Sequence, residues 1–358
     1  MKVVVTGATG NVGTALLRLL RPAREWTVTG VARRLPDRVR EPYDWVDWIS
    51  ADVGDPAERD RLAGAVDGAD AVVHLAWAIH PSRDDPPMGR TNVAGTRAVL
   101  RAAGEAGVPH LVVASSVAAY TPPPRWSRVT EDWPCGGVPA SAYSRGKVWL
   151  ERELDAFAAR HPTTAVTRLR PCAILQRDAA GQFTRWLLSN LLPGAAVGRP
   201  WLPLPLWPRL RAQAVHAEDV AAAVRAAVDQ RAAGSFNLAA EPVLDARELA
   251  AELGGPQLPV PLAVTSPLAW LTWRAGVQPV HPGWLALADK AALVDTARAR
   301  DLLGWEPRHD TRSTIASFAA GIRDGAGHGS APLAQPPSGV TERLRAVPWC
   351  RPSHQSQA

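Results

Sequence analysis

An apolar run, Val3-Val4-Val5, leads without a break into Thr6-Gly7-Ala8-Thr9-Gly10-Asn11-Val12-Gly13. A β-branched run bounded by glycines reads as a buried strand, and the amphipathic residues after the turn read as a helix. In a strand–turn–helix unit, small residues let backbone N–H groups approach an anion at the positive end of the helix. Gly7, Gly10 and Gly13 would then supply the tight bend, room for a pyrophosphate, and close packing of helix on strand. Asn11 and Val12 lie within the same turn and are counted with the glycines as cofactor-binding. On its own such a triplet is equally a simple glycine-containing turn. Its place directly after the first strand favours a dinucleotide.

The unit repeats along the chain. Strands are expected at Lys2–Thr6, Trp26–Ala32, Ala71–Ala76, His110–Ser115 and Thr164–Leu169, and helices at Asn11–Leu20, Pro56–Ala65, Thr91–Ala106 and Ala142–Ala159. Alternating strands and helices of this kind give an α/β fold, a doubly wound parallel sheet of the Rossmann type, with its site at the C-terminal ends of the strands. After Arg170-Pro171 the rhythm gives way to a Pro- and Trp-rich stretch, Leu192 to Leu210, and resumes with a helix at Ala217–Val228 and a strand at Ser235–Leu238. The expected organisation is a dinucleotide-binding domain over 1–171 plus about 214–240. A smaller, discontinuous C-terminal substrate domain takes about 172–213 and 241–325. Its later helices are placed at Asp245–Leu253, Pro267–Ala275 and Thr311–Ile322. Residues 327–358, rich in Pro, Gly, Ser and Gln, read as a disordered tail.

Composition narrows the classes. The 358 residues carry a formal charge of +6, but Arg and acidic residues are interleaved, so nucleic acid is not an expected partner. Cys135, Cys172 and Cys350 are far apart and show no C-x-x-C spacing, which suggests neither a disulfide framework nor a metal site and fits a reducing cytoplasm. No stretch of about 18 uninterrupted apolar residues occurs, so no membrane span is expected. A small molecule is the expected partner, with a homodimer as an allowed assembly.

A second constellation lies about 130 residues downstream of the glycine turn, where Tyr143 and Lys147 stand four residues apart in Ala142-Tyr143-Ser144-Arg145-Gly146-Lys147. Residues at i and i+4 share a helix face, so an ammonium can lie near the phenol, favour phenolate and make Tyr a usable acid or base near neutral pH. A solvated helix face is the bland alternative. With the glycine turn upstream, the pair resembles the short-chain dehydrogenase/reductase superfamily, in its extended, epimerase/dehydratase-like branch.

The resemblance covers about residues 1 to 325 and implies roles for individual residues. Val112 to Tyr120 resembles the fifth strand and the turn after it, where the family's active-site hydroxyl falls four residues before the aromatic. That selects Ser116 over Ser115. Ser116 would hold the substrate oxygen and Tyr143 would give or take its proton. Lys147 would lower the Tyr143 pKa and bond the nicotinamide ribose. Asp52-Val53 matches the position that meets the adenine, Leu75-Ala76 the segment beside the adenine ribose and pyrophosphate, and Asn92 a helix-start residue that positions backbone near the active site. At the end of the second strand stand Arg33 and Arg34, where an acidic residue would bond the ribose of NAD. Two guanidiniums suit a 2′-phosphate, so NADP is the expected cofactor with NAD as the alternative, although surface arginines are ordinary in so Arg-rich a chain.

The departures bear on substrate. Cys172-Ala173-Ile174-Leu175-Gln176 lacks the Asn-containing loop typical of nucleotide-sugar epimerases, and Tyr120 is followed by Thr121-Pro122-Pro123-Pro124. The Pro200–Pro208 stretch is a candidate lining for an apolar pocket. Three functions are carried forward. The first is an NADP-preferring oxidoreductase acting on a hydroxyl or carbonyl of a small molecule. The second is a nucleotide-sugar epimerase or dehydratase with tightly bound NAD. The third is a non-catalytic nucleotide sensor, against which the intact Ser116, Tyr143 and Lys147 argue.

Overall fold

The computed structural model describes residues 1–22, 26–79, 88–187, 197, 199–275, 277, 278 and 280–335. Seven parallel strands form one sheet: β1 (Lys2–Thr6), β2 (Thr27–Ala32), β3 (Asp47–Ser50), β4 (Ala71–His74), β5 (His110–Ala114), β6 (Ala165–Pro171) and β7 (Gly234–Leu238). Their order across the sheet is β7-β6-β5-β4-β1-β2-β3. The chain moves outward from β1 on one side, returns to β4, and continues outward on the other side. The C-terminal ends of β1 and β4 therefore flank the point where the winding reverses, the usual crevice for a ligand in such sheets.

Central parallel strands are covered on both faces, which is why they are continuous apolar runs rather than alternating ones. Val3, Val4 and Val5 are all fully buried. One face is covered by α1 (Asn11–Leu20) and, from much later in the chain, α5 (Ala217–Asp229), with Leu16, Leu17, Leu20, Val220 and Val224 in a common core. The other is covered by α2 (Arg59–Val66), α3 (Thr96–Glu105) and α4 (Ala142–Arg160), through Leu62, Val99, Leu100, Leu150, Leu154 and Phe157. This is the α/β, doubly wound arrangement expected from the sequence.

The expected element boundaries shift in ways that have local causes. The helix expected from Pro56 begins as a single 3-10 turn, Pro56–Glu58, with the Asp55 side chain accepting the Ala57 N–H. The helix expected from Thr91 is preceded by π-helical residues Gly89–Gly95. The helix expected from Pro267 starts earlier, over Leu262–Arg274, so that Pro267 falls within its first turns. A further apolar cluster joins Leu175, Ala180, Ala214, Leu244, Ile315, Phe318 and Ile322, binding the residues after β6 to α6 (Thr311–Arg323).

The stretch expected to be a disordered tail begins differently. Residues 327–335 are packed, with Ser330 and Leu333 buried, because they find partners on the first strand–helix unit that their own composition does not reveal. Residues 336–358 lie outside the described residues.

A charged pair sits inside the fold. The Arg170 guanidinium donates from Nε to Glu151 Oε1 and from Nη2 to Glu151 Oε2, each at 2.9 Å, and both side chains are almost fully buried. Arg170 also donates to the Tyr120 hydroxyl at 2.9 Å and to the Glu131 carbonyl at 2.8 Å. Burial opposes ionisation of Glu151, but hydrogen bonds from Arg170 and Ser115 hold its carboxyl below the ordinary range. Replacing Arg170 with Met would leave that carboxylate buried with Ser115, the more peripheral Arg168 and, one helical turn away, Lys147. A loss of about 3 to 5 kcal/mol is expected in denaturant unfolding, partly recovered when Glu151→Gln is added. An unchanged midpoint would show that the pair contributes nothing net.

Candidate functional site

Gly7 ends β1 in the left-handed region at φ +73°, and a Cβ there would lie 2.6 Å from the Ala76 nitrogen. Only glycine lets the turn pass this close to the exit of β4, which brings Leu75 and Ala76 beside the loop. A Cβ on Gly13 would meet the Gly7 oxygen at 2.5 Å, so that residue is a helix-to-turn packing contact. Gly10 differs, since its Cβ would meet a single neighbour, the Gly7 oxygen, at 3.2 Å. The space beside Gly10 is open, as a pyrophosphate site requires. Gly10 also caps α1 with no side-chain hydrogen bond, and no acidic residue stands in the first turn. The amide end of α1, at Asn11 and Val12, thus carries its positive potential undiminished. Asn11 is turned away from that end and fixed, donating to the Ile174 carbonyl at 3.1 Å and accepting from Gln176 at 2.7 Å. These features fit a dinucleotide.

Around the turn, the expected residues assemble on one rim with different degrees of engagement. Arg33 and Arg34 are exposed at the end of β2, and Arg33 Nη1 lies 3.8 Å from Asp52 Oδ2. The same Asp52 oxygen accepts from Arg90 at 2.9 Å, while its Oδ1 accepts the Gly54 N–H at 3.0 Å. Two arginines therefore already compensate the Asp52 carboxylate within the chain. Val53 is buried in the core against Gly95. Asn92 pins the chain leaving β4: its Oδ1 accepts the Ala78 N–H at 2.7 Å and its Nδ2 donates to the Ala78 carbonyl at 2.9 Å. That two-point bond holds backbone near the strand ends.

Ser116, Tyr143 and Lys147 come together at the C-terminal end of β5. Ser116 is in extended backbone before a single 3-10 turn and accepts the Ala118 N–H at 3.1 Å, while its hydroxyl is 3.5 Å from the Pro171 carbonyl. The neighbouring Ser115 donates instead to Glu151, into the buried charged pair. The Ser116 hydroxyl is near enough to Tyr143 to weigh on the titration of its phenol. The Lys147 ammonium, 2% exposed, donates to the Ala114 carbonyl at 2.9 Å.

The electrostatics differ from expectation. Lys147 was expected to depress the Tyr143 pKa, but burial raises it, and the nearby Ser116 hydroxyl offsets only part of the rise. The reason lies in where the ammonium points. Its nitrogen is 5.8 Å from the Tyr143 ring centroid but 3.6 Å from that of Trp77, and it is spent on that face and on Ala114. Burial pushes the Lys147 amine down to about 7, with Glu151 opposing the shift. His74, buried between Thr6 and Thr96 hydroxyls at 2.7 and 3.1 Å, is held neutral by burial and then by Lys147, its pKa brought to about 3.

Two aromatic side chains border the Lys147 and Tyr143 side chains. Trp77 lies over the ammonium, and its Nε1 is buried without a partner among the described residues. Trp284 stacks on Tyr143 with ring centroids 5.3 Å apart. No local signal in the sequence connects Trp284 to a tyrosine so far upstream. The Pro200–Pro208 stretch divides: Trp207 is buried and donates to Asp289 at 3.0 Å, whereas Trp201 is 69% exposed. His216, Glu218 and His309 also converge, but they satisfy one another. His216 Nδ1 accepts the Glu218 N–H at 3.3 Å, and His309 Nε2 lies 3.1 Å from the Glu218 carboxylate.

Two tests separate these local causes. Gly13→Ala should lower Tm by several degrees, because the new methyl meets backbone, whereas Gly10→Ala should leave it near native; equal losses would contradict the division of roles. The Lys147 amine releases its proton near 7 in the fold and near 10.5 in the unfolded chain, so the unfolded chain holds more protons between those values. Stability due to this side chain therefore rises with pH across that window. The Tm of the native chain should gain on that of Lys147→Met from pH 7 to pH 10, and a constant difference would show that the amine stays charged.

Residues 3–239 match the model of the NAD dependent epimerase/dehydratase family. The chain is 29% identical to an uncharacterized protein of Mycobacterium tuberculosis over 94% of its own length, and it spans 32% of that longer relative. A 3-diazoavenalumate denitrifying reductase from a Streptomyces species is 30% identical, with 86% of this chain and 97% of that protein aligned. The fold is similar to that of Thermus thermophilus UDP-glucose 4-epimerase in complex with NAD, at a TM-score of 0.66 and 20% identity, covering 90% of this chain and 99% of that one. Among the described residues no helix is long and apolar enough to cross a membrane. With a family model matched over most of its length, on the sheet and glycine turn described above, the chain belongs to the NAD dependent epimerase/dehydratase family.

Proposed function

We propose that this chain is an NAD(P)-dependent oxidoreductase acting on a small carbonyl or hydroxyl compound, with reduction of the carbonyl as its favoured direction. The observation that carries the reading is that Ser116, Tyr143 and Lys147 stand together beside the end of β5, at the same end of the sheet as the glycine turn. A nicotinamide, when bound, supplies the hydride chemistry. The chain's own residues do the rest. The Ser116 hydroxyl holds the substrate oxygen, and the Tyr143 hydroxyl delivers a proton to it as the carbonyl carbon is reduced. Burial raises the Tyr143 pKa, so the phenol keeps its proton at neutral pH and can give it to the substrate oxygen. Lys147 holds its place on the Ala114 carbonyl and presents the cation to the ribose side of the site.

The glycine turn and the amide end of α1 take the pyrophosphate in this reading, with Asp52, Val53, Leu75 and Ala76 around the adenosine and Asn92 holding backbone near the active site. Arg33 and Arg34 take a 2′-phosphate, which makes NADP the preferred cofactor over NAD. Residues 172–213 and 241–325 form the substrate side. The reductase name of the Streptomyces relative supports the direction of the chemistry. Similarity to nucleotide-sugar epimerases at 20% identity speaks for the fold alone.

Identification of the nucleotide that copurifies, followed by turnover against a panel of carbonyl compounds, tests the reading. Exchangeable NADP and activity with a carbonyl are expected. Tyr143→Phe should lower turnover by roughly 10² to 10⁴ while nucleotide affinity stays near native. Full activity in that variant would overturn the proton-transfer assignment. Tightly held NAD without net redox would favour an epimerase or dehydratase, and nucleotide binding with no turnover would favour a sensor.

A further inference from the structure

Beyond α6 the chain turns back at Gly325, in the left-handed region at φ +62°, and crosses to the first strand–helix unit. Ala326 accepts the Gly181 N–H at 3.1 Å. The residues that follow close on themselves, since the His328 N–H donates to the Leu333 carbonyl at 2.7 Å and the Leu333 N–H to the Ser330 carbonyl at 3.1 Å. Leu333 is 0% exposed. A side chain on Gly327 would meet the Gln335 nitrogen and the Leu333 oxygen, each at 2.7 Å, so the loop is tight as well as closed.

Three contacts from this loop reach the nucleotide side of the fold. The buried Ser330 hydroxyl donates to the Thr9 carbonyl at 2.8 Å, inside the glycine turn between Gly7 and Gly10. His328 Nδ1 lies 3.1 Å from the Tyr43 hydroxyl, which in turn is 3.0 Å from the Thr14 hydroxyl on α1, and the Tyr43 and His328 rings meet edge to face at 5.4 Å. The Asp37 N–H points to the Gly329 carbonyl at 3.5 Å. Asp37 and Tyr43 belong to the connection after β2, which also carries Arg33 and Arg34. Between Arg33 and Glu41 that connection forms no regular element, and every residue in it except Pro36 is exposed. Tyr43 is tied to Thr14 on α1, and the returning loop adds contacts at Asp37 and Tyr43.

From these contacts we infer that residues 326–335 are a clamp on the nucleotide site. His328, Ser330 and Leu333 act as positioning residues that hold the Thr9 turn and the 33–43 connection in the form that selects an adenosine bearing a 2′-phosphate. The inference rests on the proposed nucleotide site. Neither end of the clamp touches the reacting groups, so its effect falls on affinity and cofactor choice rather than on proton transfer. The connection bears the arginines assigned to the 2′-phosphate, so loosening it costs NADP more than NAD.

The test uses the full chain with single replacements. Leu333→Asp places a charge where no solvent reaches and should expel the loop; Ser330→Ala removes one hydrogen bond and leaves the fold otherwise intact. Calorimetry with NADP and NAD, and amide hydrogen exchange over residues 33–43, are read for each. Leu333→Asp should weaken NADP about tenfold or more and NAD by clearly less, with faster exchange confined to residues 7–14 and 33–43. Ser330→Ala should shift the same readings by about threefold to tenfold. A folded Leu333→Asp protein with native affinity for both nucleotides overturns the inference. So does an equal loss for both with unchanged exchange in 33–43, which would mark the loop as merely structural. If Leu333→Asp does not fold, Ser330→Ala decides, and native affinity and exchange there overturn the inference. A native chain that binds neither nucleotide overturns the nucleotide site itself, a failure distinct from one in which the native chain binds and the variants bind equally.

Discussion

The buried ion pair between Arg170 and Glu151 is the constraint on which the rest of the site depends. A guanidinium and a carboxylate taken out of water are tolerated only when each satisfies the other and the remaining donors find acceptors. Here the donors extend outward, to Tyr120 and the Glu131 carbonyl, and Tyr120 passes its hydrogen to Asn237 at 2.7 Å. Asn237 then holds the Glu131 carboxylate through its N–H at 2.7 Å. One network thereby ties the end of β6, the middle of α4, the turn after β5 and the last strand of the sheet. Glu151, Lys147 and Tyr143 follow one another at intervals of four residues and so lie on one face of α4. Anchoring Glu151 sets the rotation of the helix, and the rotation aims the other two at the strand ends.

Within that frame the two titrating side chains are governed by burial more than by each other. A Tyr–Lys pair on a helix surface in water would be a case of simple charge attraction. Here the ammonium has lost most of its water, and the Trp77 face and the Ala114 carbonyl are what replace it. A desolvated cation–π contact is worth about 2 kcal/mol, comparable with what a single charged hydrogen bond contributes. It stabilises the charged form but draws the nitrogen away from the phenol. The result is a tyrosine whose phenol burial keeps protonated, a state that suits donation of a proton. Trp284 closes the other side of the ring.

At the opposite end of the glycine turn, control of the nucleotide side is spread over segments remote in sequence. The turn itself needs only its own glycines and the exit of β4. The connection after β2 has little internal structure, and a segment from beyond the last helix supplies the polar contacts that it lacks. Tyr43, fully buried, is the point where the two meet.

The local features of this protein were legible in its sequence because they arise from short-range physics. The run Val3-Val4-Val5 and the glycines after it mark strand, turn and helix within a dozen residues, and the period of apolar residues marks α1 and α4 to within a residue. The pairing of Tyr143 with Lys147 on one helix face follows from helical spacing alone. Choosing Ser116 over Ser115 took the family pattern; that a buried carboxylate claims Ser115 is visible only in the fold. The direction of the Tyr143 shift was misread for a related cause: spacing brings a cation near a phenol, but dehydration and the arrival of Trp77 decide where that cation points. Residues 327–335 depart from the expected tail because composition reports what a chain can bury by itself. Leu333 and Ser330 are ordered by a surface built from the first residues of the chain, and such a surface exists only once the chain has folded.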